Sequence, residues 1–355
     1  KNAFSFVHTN PFWGATIRPV NQVPGGNATS VPVLGRIGLA LDAKNRVLMI
    51  NDRFKIKFAE AEDSAYQQTI ESAPNFHYPQ GRGTVPFAAT GRNLYVANQT
   101  TLWKLPPMGS EGNPEPHDYA ADRPDLEGGA IVDLCACEEH GHMFVTFQKD
   151  VQGVFFSHST LSLAWTSVVD LDTLEFVDTL LSRQAGLIRP TNVTTTALVN
   201  GKVWVCDSSK VHVYEHCSTK RRDPSNPSII EKLNEEQTPW TQTLDNPIAE
   251  IQPKCFPLAV CSVSVEGETR IFMTESMDNP GPESMDNPGR GRHILVTNTN
   301  GTLLQSNLVL STNERFVGRM LVRTIDGVSY LYTTVNTGTG VALSVRTFQI
   351  TGLWK

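Results

Sequence analysis

An apolar run, a tight polar turn and a burst of β-branched and aromatic residues recur in that order along the chain. The pattern is clearest in Leu39–Asn51 (LALDAKNRVLMIN), Phe87–Asn98 (FAATGRNLYVAN) and Ala197–Asp207 (ALVNGKVWVCD), which read as the same hairpin. Weaker copies span Ile131–Phe147, Leu258–Glu275 and Val317–Val335, turning at His140-Gly141-His142, Glu266-Gly267 and Asp326-Gly327. Short runs of such residues between Gly, Asn and Asp signals are strands, because their branched side chains suit a pleated, half-buried surface. Helical periodicity is confined to Phe58–Gln68 and Ile229–Glu236, each expected to form at most a turn or two within a loop.

The second strands of these hairpins begin near Val47, Leu94, Met143, Val203, Ile271 and Tyr330. Their spacing is somewhat wider than the roughly 40–50 residues of compact propeller blades. A hairpin that buries one face is unstable alone, so serial copies imply that neighbours cover one another. Radial packing does this and leaves only short edges. The expectation is one all-β domain over residues 1–355, a six-bladed β-propeller of four-stranded antiparallel blades. Long loop insertions are expected near 106–128, 218–246 and 275–292. Only three strands are legible near the C-terminus, at Val317–Thr324, Ser329–Val335 and Gly340–Ile350. The apolar segment Asn2–Val7 is expected to supply the fourth, closing the ring with an N-terminal strand. Two β-sandwiches would need a linker near the middle, and Asp170–Gln184 shows no such shift in composition.

A net charge of −6 lacks the basic footprint of a nucleic-acid-binding face. No apolar run reaches the roughly 18–20 residues that cross a bilayer, so membrane association is expected only through a segment absent from this chain. The opening Lys1-Asn2-Ala3-Phe4 does not read as a signal peptide. Cys135, Cys137, Cys206, Cys217, Cys255 and Cys261 form an even set open to several disulfide connectivities. Asn27, Asn98, Asn192 and Asn300 head Asn-X-Ser/Thr sequons, of which Asn27 and Asn300 adjoin glycines in expected loops. With Thr-rich strands and few lysines, these features point to an extracellular or cell-surface glycoprotein with disulfides.

Candidate chemistry is sparse. Cys135-Ala-Cys137-Glu-Glu-His140-Gly-His142 gathers thiols and imidazoles that suit zinc or copper, but its spacing is not that of a zinc motif. A solvent-exposed turn beside core or disulfide cysteines explains it, and no metal is expected. His212 and His216 flank Tyr214 on one strand face, where packing or a surface hydrogen bond suffices. Neither a nucleophile elbow, nor a zincin helix, nor a phosphate-cradling loop is present in the sequence.

Arg36–Phe58, Val85–Leu105 and Thr195–Tyr214 resemble the repeats of NHL-type six-bladed propellers, with a "Leu-Tyr-Val-Ala-Asn" strand after an Asp/Asn/Gly turn. The resemblance implies two kinds of role, because that superfamily includes extracellular adhesion ectodomains and calcium-dependent lactonases and esterases. The hydrolases hold Ca²⁺ with Glu, Asn and Asp at the inner strand ends. Asn192 is similar in position to one such ligand, whereas Phe256-Pro257-Leu258 brings no carboxylate. No cofactor is therefore expected; Ca²⁺ enters only with the hydrolase alternative. The favoured reading is a non-catalytic recognition, adhesion or assembly module with a protein or glycan partner. Its binding candidates lie in insertions: Lys220, Arg221, Arg222 and Trp240 in one, Asp278 and Asp286 in another. The latter repeats Glu-Ser-Met-Asp-Asn-Pro-Gly from Glu275 and again from Glu283, either a weak cation site or displayed epitope, or a solvated duplication.

Overall fold

The structure is a computed structural model. It describes residues 16–352 apart from 25, 28–32, 35, 60–67, 70–83, 153–159, 177–186, 189–192, 208–209, 216–248, 252–256, 266, 276–290 and 339–341. The described residues form antiparallel sheets built from consecutive strands. The first sheet takes Ile37–Leu41, Val47–Asn51, Lys55–Phe58 and Gln68–Thr69; the second takes Phe87–Ala89, Leu94–Asn98, Thr101–Leu105 and Glu115–Asp118. The third takes Ala130–Cys137, His142–Gln152, Thr160–Asp170 and Leu187–Ile188, and the fourth Val193–Val199, Lys202–Asp207, Val211–Glu215 and Ala249–Ile251. The fifth is Pro257–Val265, Glu268–Glu275, His293–Thr297 and Leu303–Leu308. All six expected second strands are thus second strands of separate sheets.

The sixth sheet joins both ends of the chain. Arg315–Ile325, Val328–Asn336 and Ala342–Thr351 run in order, and Thr16–Pro19 pairs along Phe348–Thr351. Val20 N–H continues the ladder to the Thr347 carbonyl at 3.0 Å, and Val33–Leu34 rejoins it opposite Ala342 and Leu343. The outer strand is therefore composite, broken by an excursion that includes the small Gln22–Val23/Gly26–Asn27 hairpin. The segment expected in this position, Asn2–Val7, lies outside the described residues; among the described ones Thr16–Pro19 holds the place beside Phe348–Thr351. A four-residue edge strand containing Pro19 leaves little trace in sequence, because proline is tolerated where its missing N–H faces away from the ladder.

Sequence sets the turns. Asn200-Gly201 and Asp326-Gly327 both carry positive φ at two successive residues (49° and 73°, 49° and 77°), the requirement of a two-residue type I′ hairpin. In the first sheet Asp42 Oδ1 accepts from Lys44 N and Arg46 N at 2.9 and 2.8 Å, stapling the turn at Asn45. The 106–128 segment differs from the loop expected there. Its second half supplies the outer strand Glu115–Asp118, and Asp118 then caps a short helix, Tyr119–Asp122, by accepting from Ala120 N at 3.1 Å. Tyr119 causes this ordering: its ring is fully buried against Phe147 and Phe176, and its hydroxyl donates to the Leu174 carbonyl at 2.8 Å. Of the two helical candidates, Phe58 ends a strand of the first sheet, while 60–67 and 229–236 lie outside the described residues.

The core is distributed between sheets rather than gathered in one place. Separate apolar clusters join sheets one and two (Ile50, Phe87, Trp103), two and three (Tyr95, Tyr119, Phe147), and three and four (Phe144, Val168, Tyr214). Others join four and five (Trp204, Ile271), five and six (Phe272, Phe316, Phe348), and six and one (Leu39, Met49, Tyr332). The first strand of each sheet likewise packs on that of the next, and Arg315–Ile325 packs on Ile37–Leu41. Close approach at one seam requires a glycine: a Cβ on Gly38 would lie 2.3 Å from the Val85 carbonyl oxygen and 2.8 Å from Phe87 Cβ. Gly38→Ala should therefore destabilise the fold by about 1–3 kcal/mol, as overpacking does. A urea midpoint equal to that of the parent would show that the seam yields instead.

Candidate functional site

The first strands surround a cavity of about 340 Å³ that touches all six sheets. Its lining mixes small side chains, among them Ala40, Ala89, Ala136 and Ala197, with the larger Leu41, Leu198 and Met320. Each first strand is also an edge of its sheet, so its outer N–H and C=O groups are unpaired by the ladder and give a backbone-polar wall. Among the described lining residues Arg319 is the sole charged side chain.

Arg319 reaches across this channel. Its Nη1 donates to the Phe87 carbonyl on the second sheet at 3.3 Å, and its Nη2 lies 3.7 Å from Asp133 Oδ1 on the third. Neither sheet neighbours the sixth in the packing order, so the side chain spans the lumen. Asp133 is shared with the fourth sheet, its Oδ2 accepting from Thr195 Oγ1 at 3.0 Å and Thr196 N at 3.1 Å. A chain of buried hydroxyls, Thr146 to Thr166 at 3.0 Å and Thr166 to Thr196 at 2.8 Å, reinforces that seam. Asp133 and Arg319 escaped sequence reasoning because the partners meet only through the fold. For Asp133 the available signal was a charge within an otherwise apolar strand, Ala130–Cys137, whereas Arg319 is one of three arginines in Arg315–Ile325 and carried none.

The channel thiols are protonated and hence weak nucleophiles and ligands. Burial pushes the Cys135 thiol up against the opposing influence of Arg319, and burial also raises that of Cys261. The disulfide expectation is corrected for four residues: Cys135, Cys137, Cys206 and Cys261 are not disulfide-bonded. Cys135 and Cys137 project in parallel from one strand face, where their side chains do not converge as a bridge requires, and Cys206 fills the core between sheets four and five. Cys217 and Cys255 lie outside the described residues.

The His140-Gly141-His142 turn is buried rather than solvent-exposed. Cys137 Sγ lies 3.1 Å from His140 Nδ1, and Cys137 is pushed up to about 11, chiefly by burial. His142 is held down to about 4 because burial penalises its cation more than Asp170 favours it, with His140 adding repulsion. A third buried imidazole, His212, is hydrogen-bonded to Asp207 Oδ2 at 3.0 Å across a hairpin, a buried contact where packing or a surface hydrogen bond was expected. Among the described residues no three His, Cys, Asp or Glu side chains are grouped to hold a metal ion.

The sequon residues separate. Asn98 is 3% exposed at the end of a second strand, where an attached glycan has no room, whereas Asn300 is exposed at a turn. Asn27 lies in the short strand Gly26–Asn27. Asn192, Lys220, Arg221, Arg222, Trp240, Asp278 and Asp286 lie outside the described residues. As for calcium, hard cations are held chiefly by carboxylate and amide oxygens, and among the described lining residues there is no Asp, Glu, Asn or Gln side chain, only strand-edge carbonyls and the Ser262 hydroxyl beside a guanidinium.

No protein-family model matches the sequence, nor does any curated protein. Among solved structures the chain is similar to a luciferin-regenerating enzyme, with 10% identity, a TM-score of 0.46, and 96% of each chain covered. It is similar to the WD40 domain of Pan2 from Neurospora crassa at 8% identity and a TM-score of 0.43, covering 89% of each. BamB from Moraxella catarrhalis gives 9% identity and 0.41, covering 86% of this chain and 70% of that one. These likenesses assign no activity; they accompany an all-β, propeller-like array of four-stranded antiparallel sheets.

Proposed function

We propose that the chain is a six-bladed β-propeller, closed by Thr16–Pro19, that serves as a non-catalytic recognition or assembly module for a protein or glycan partner at the cell surface or outside the cell. The observation that supports it most is the cyclic order of inter-sheet packing, each sheet covering the next and the sixth covering the first. The inner strands serve as bracing: Asp133 and Arg319 are bonded to backbone and to threonines of other sheets. The calcium-dependent hydrolase reading draws no support from the channel wall.

Replacing 218–246 or 275–292 by a short Gly/Ser turn should leave unfolding nearly unchanged, since connections contribute little to global stability. Capture of the partner should fall after at least one exchange, with Trp240→Ala reproducing part of the loss. Capture that survives both exchanges, together with chelator-sensitive lactone or ester hydrolysis lost in Asn192→Ala, would reverse the assignment. The compartment has its own test. In a secretory host, glycosidase treatment should shift the mass, and Asn300→Gln should remove part of that shift while Asn98→Gln removes none. A parent chain without glycan argues against the secretory route.

A further inference from the structure

We propose that the central channel binds a small carboxylate with an apolar body, the carboxylate seated on Arg319 and the body lying among Ala89, Ala136, Ala197 and Val260. The cavity, about 340 Å³, falls in the ~300–1,000 Å³ range of small-molecule pockets. Its wall is divided about evenly between apolar side chains and polar surface, the latter from strand-edge backbone, Arg319 and the Ser262 hydroxyl.

Charge selects the class. Arg319 lines the cavity while Asp133 does not, so the one charged residue of the lining is a cation. The pair is separated by 3.7 Å, beyond hydrogen-bond distance, and the second Asp133 oxygen is taken by Thr195 and Thr196. Arg319 is thus held in place without a bidentate carboxylate of its own. Its Phe87 contact fixes the fork before any ligand arrives, and a planar carboxylate matches that fork. A dianionic phosphate fits less well, because one cation beside a carboxylate cannot offset two charges at low dielectric. Neutral amphiphiles forgo the charged contact.

The test titrates the full chain calorimetrically with octanoate, 1-octanol and octyl phosphate. Octanoate should bind about tenfold or more tightly than either analogue. Arg319→Gln should erase that preference, and Ala136→Leu, which adds bulk at a half-buried lining position without altering charge, should abolish octanoate binding, with thermal unfolding confirming that the variant is folded. Equal affinity for acid and alcohol, binding of none of the three, or unchanged octanoate binding in Ala136→Leu would overturn the proposal. Should Arg319→Gln fail to fold, the ranking in the parent and the Ala136→Leu result decide. Partner capture through segments 218–246 and 275–292 is a separate property, so loss of either activity leaves the other reading standing.

Discussion

Deleting residues 1–19 should remove about 5 kcal/mol of stability, a large share of what a domain of this kind possesses. Thr16–Pro19 forms the outer strand over Phe348–Thr351, and Ile17 is buried with Phe348 and Ile350 in the cluster between sheets five and six. Ile17→Ala alone should cost about 2–5 kcal/mol, the range for truncating a buried aliphatic side chain. The rest comes from ladder hydrogen bonds, each worth about 1 kcal/mol net. The urea midpoint of the truncated chain measures the sum, and hydrogen exchange over Ala342–Thr351 localises it. A midpoint that does not move would show that this pairing contributes nothing to the fold.

Acidification should weaken the fold steeply between about pH 6.5 and pH 4, and His142 should account for much of the slope. Burial holds its folded-state value down to about 4, against an ordinary 6.5. The unfolded chain therefore binds more protons in this window. The contribution is complete above about pH 6.5 and is lost as the pH falls toward 4, to a limit of roughly 3 kcal/mol. Three titratable neighbours share its surroundings: Asp170, its register partner, favours the cation; His140 opposes it; Cys137 stays protonated throughout. Denaturant melts of the parent and of His142→Gln across this range read the effect. The variant should start less stable and lose less on acidification, and parallel slopes would assign the acid sensitivity elsewhere.

Second strands were legible because residues such as Leu94-Tyr-Val-Ala-Asn98 are buried on both faces, so nearly every position is apolar and the turn before them is polar. The outer strands were not. Thr16–Pro19 and Glu115–Asp118 sit at edges with exposed positions, and their pairing is dictated by what they lie beside rather than by their own composition. Polarity also misled at His140-Gly141-His142, since a turn between strands need not be exposed when a neighbouring turn, here Leu171–Leu174, folds over it. The Arg319 bridge was hidden for another reason: it joins a residue of the sixth sheet to the second and third, a distance along the chain that no local pattern spans.

Thr16 faces Thr351 in the register of the sixth sheet, so the two points where the chain would be gripped lie at the same end of one antiparallel pair. Tension applied there would peel the strands apart one rung at a time instead of shearing several rungs together. A fold whose apolar clusters lie between separate sheets would then open first, and at low force, along this one pair.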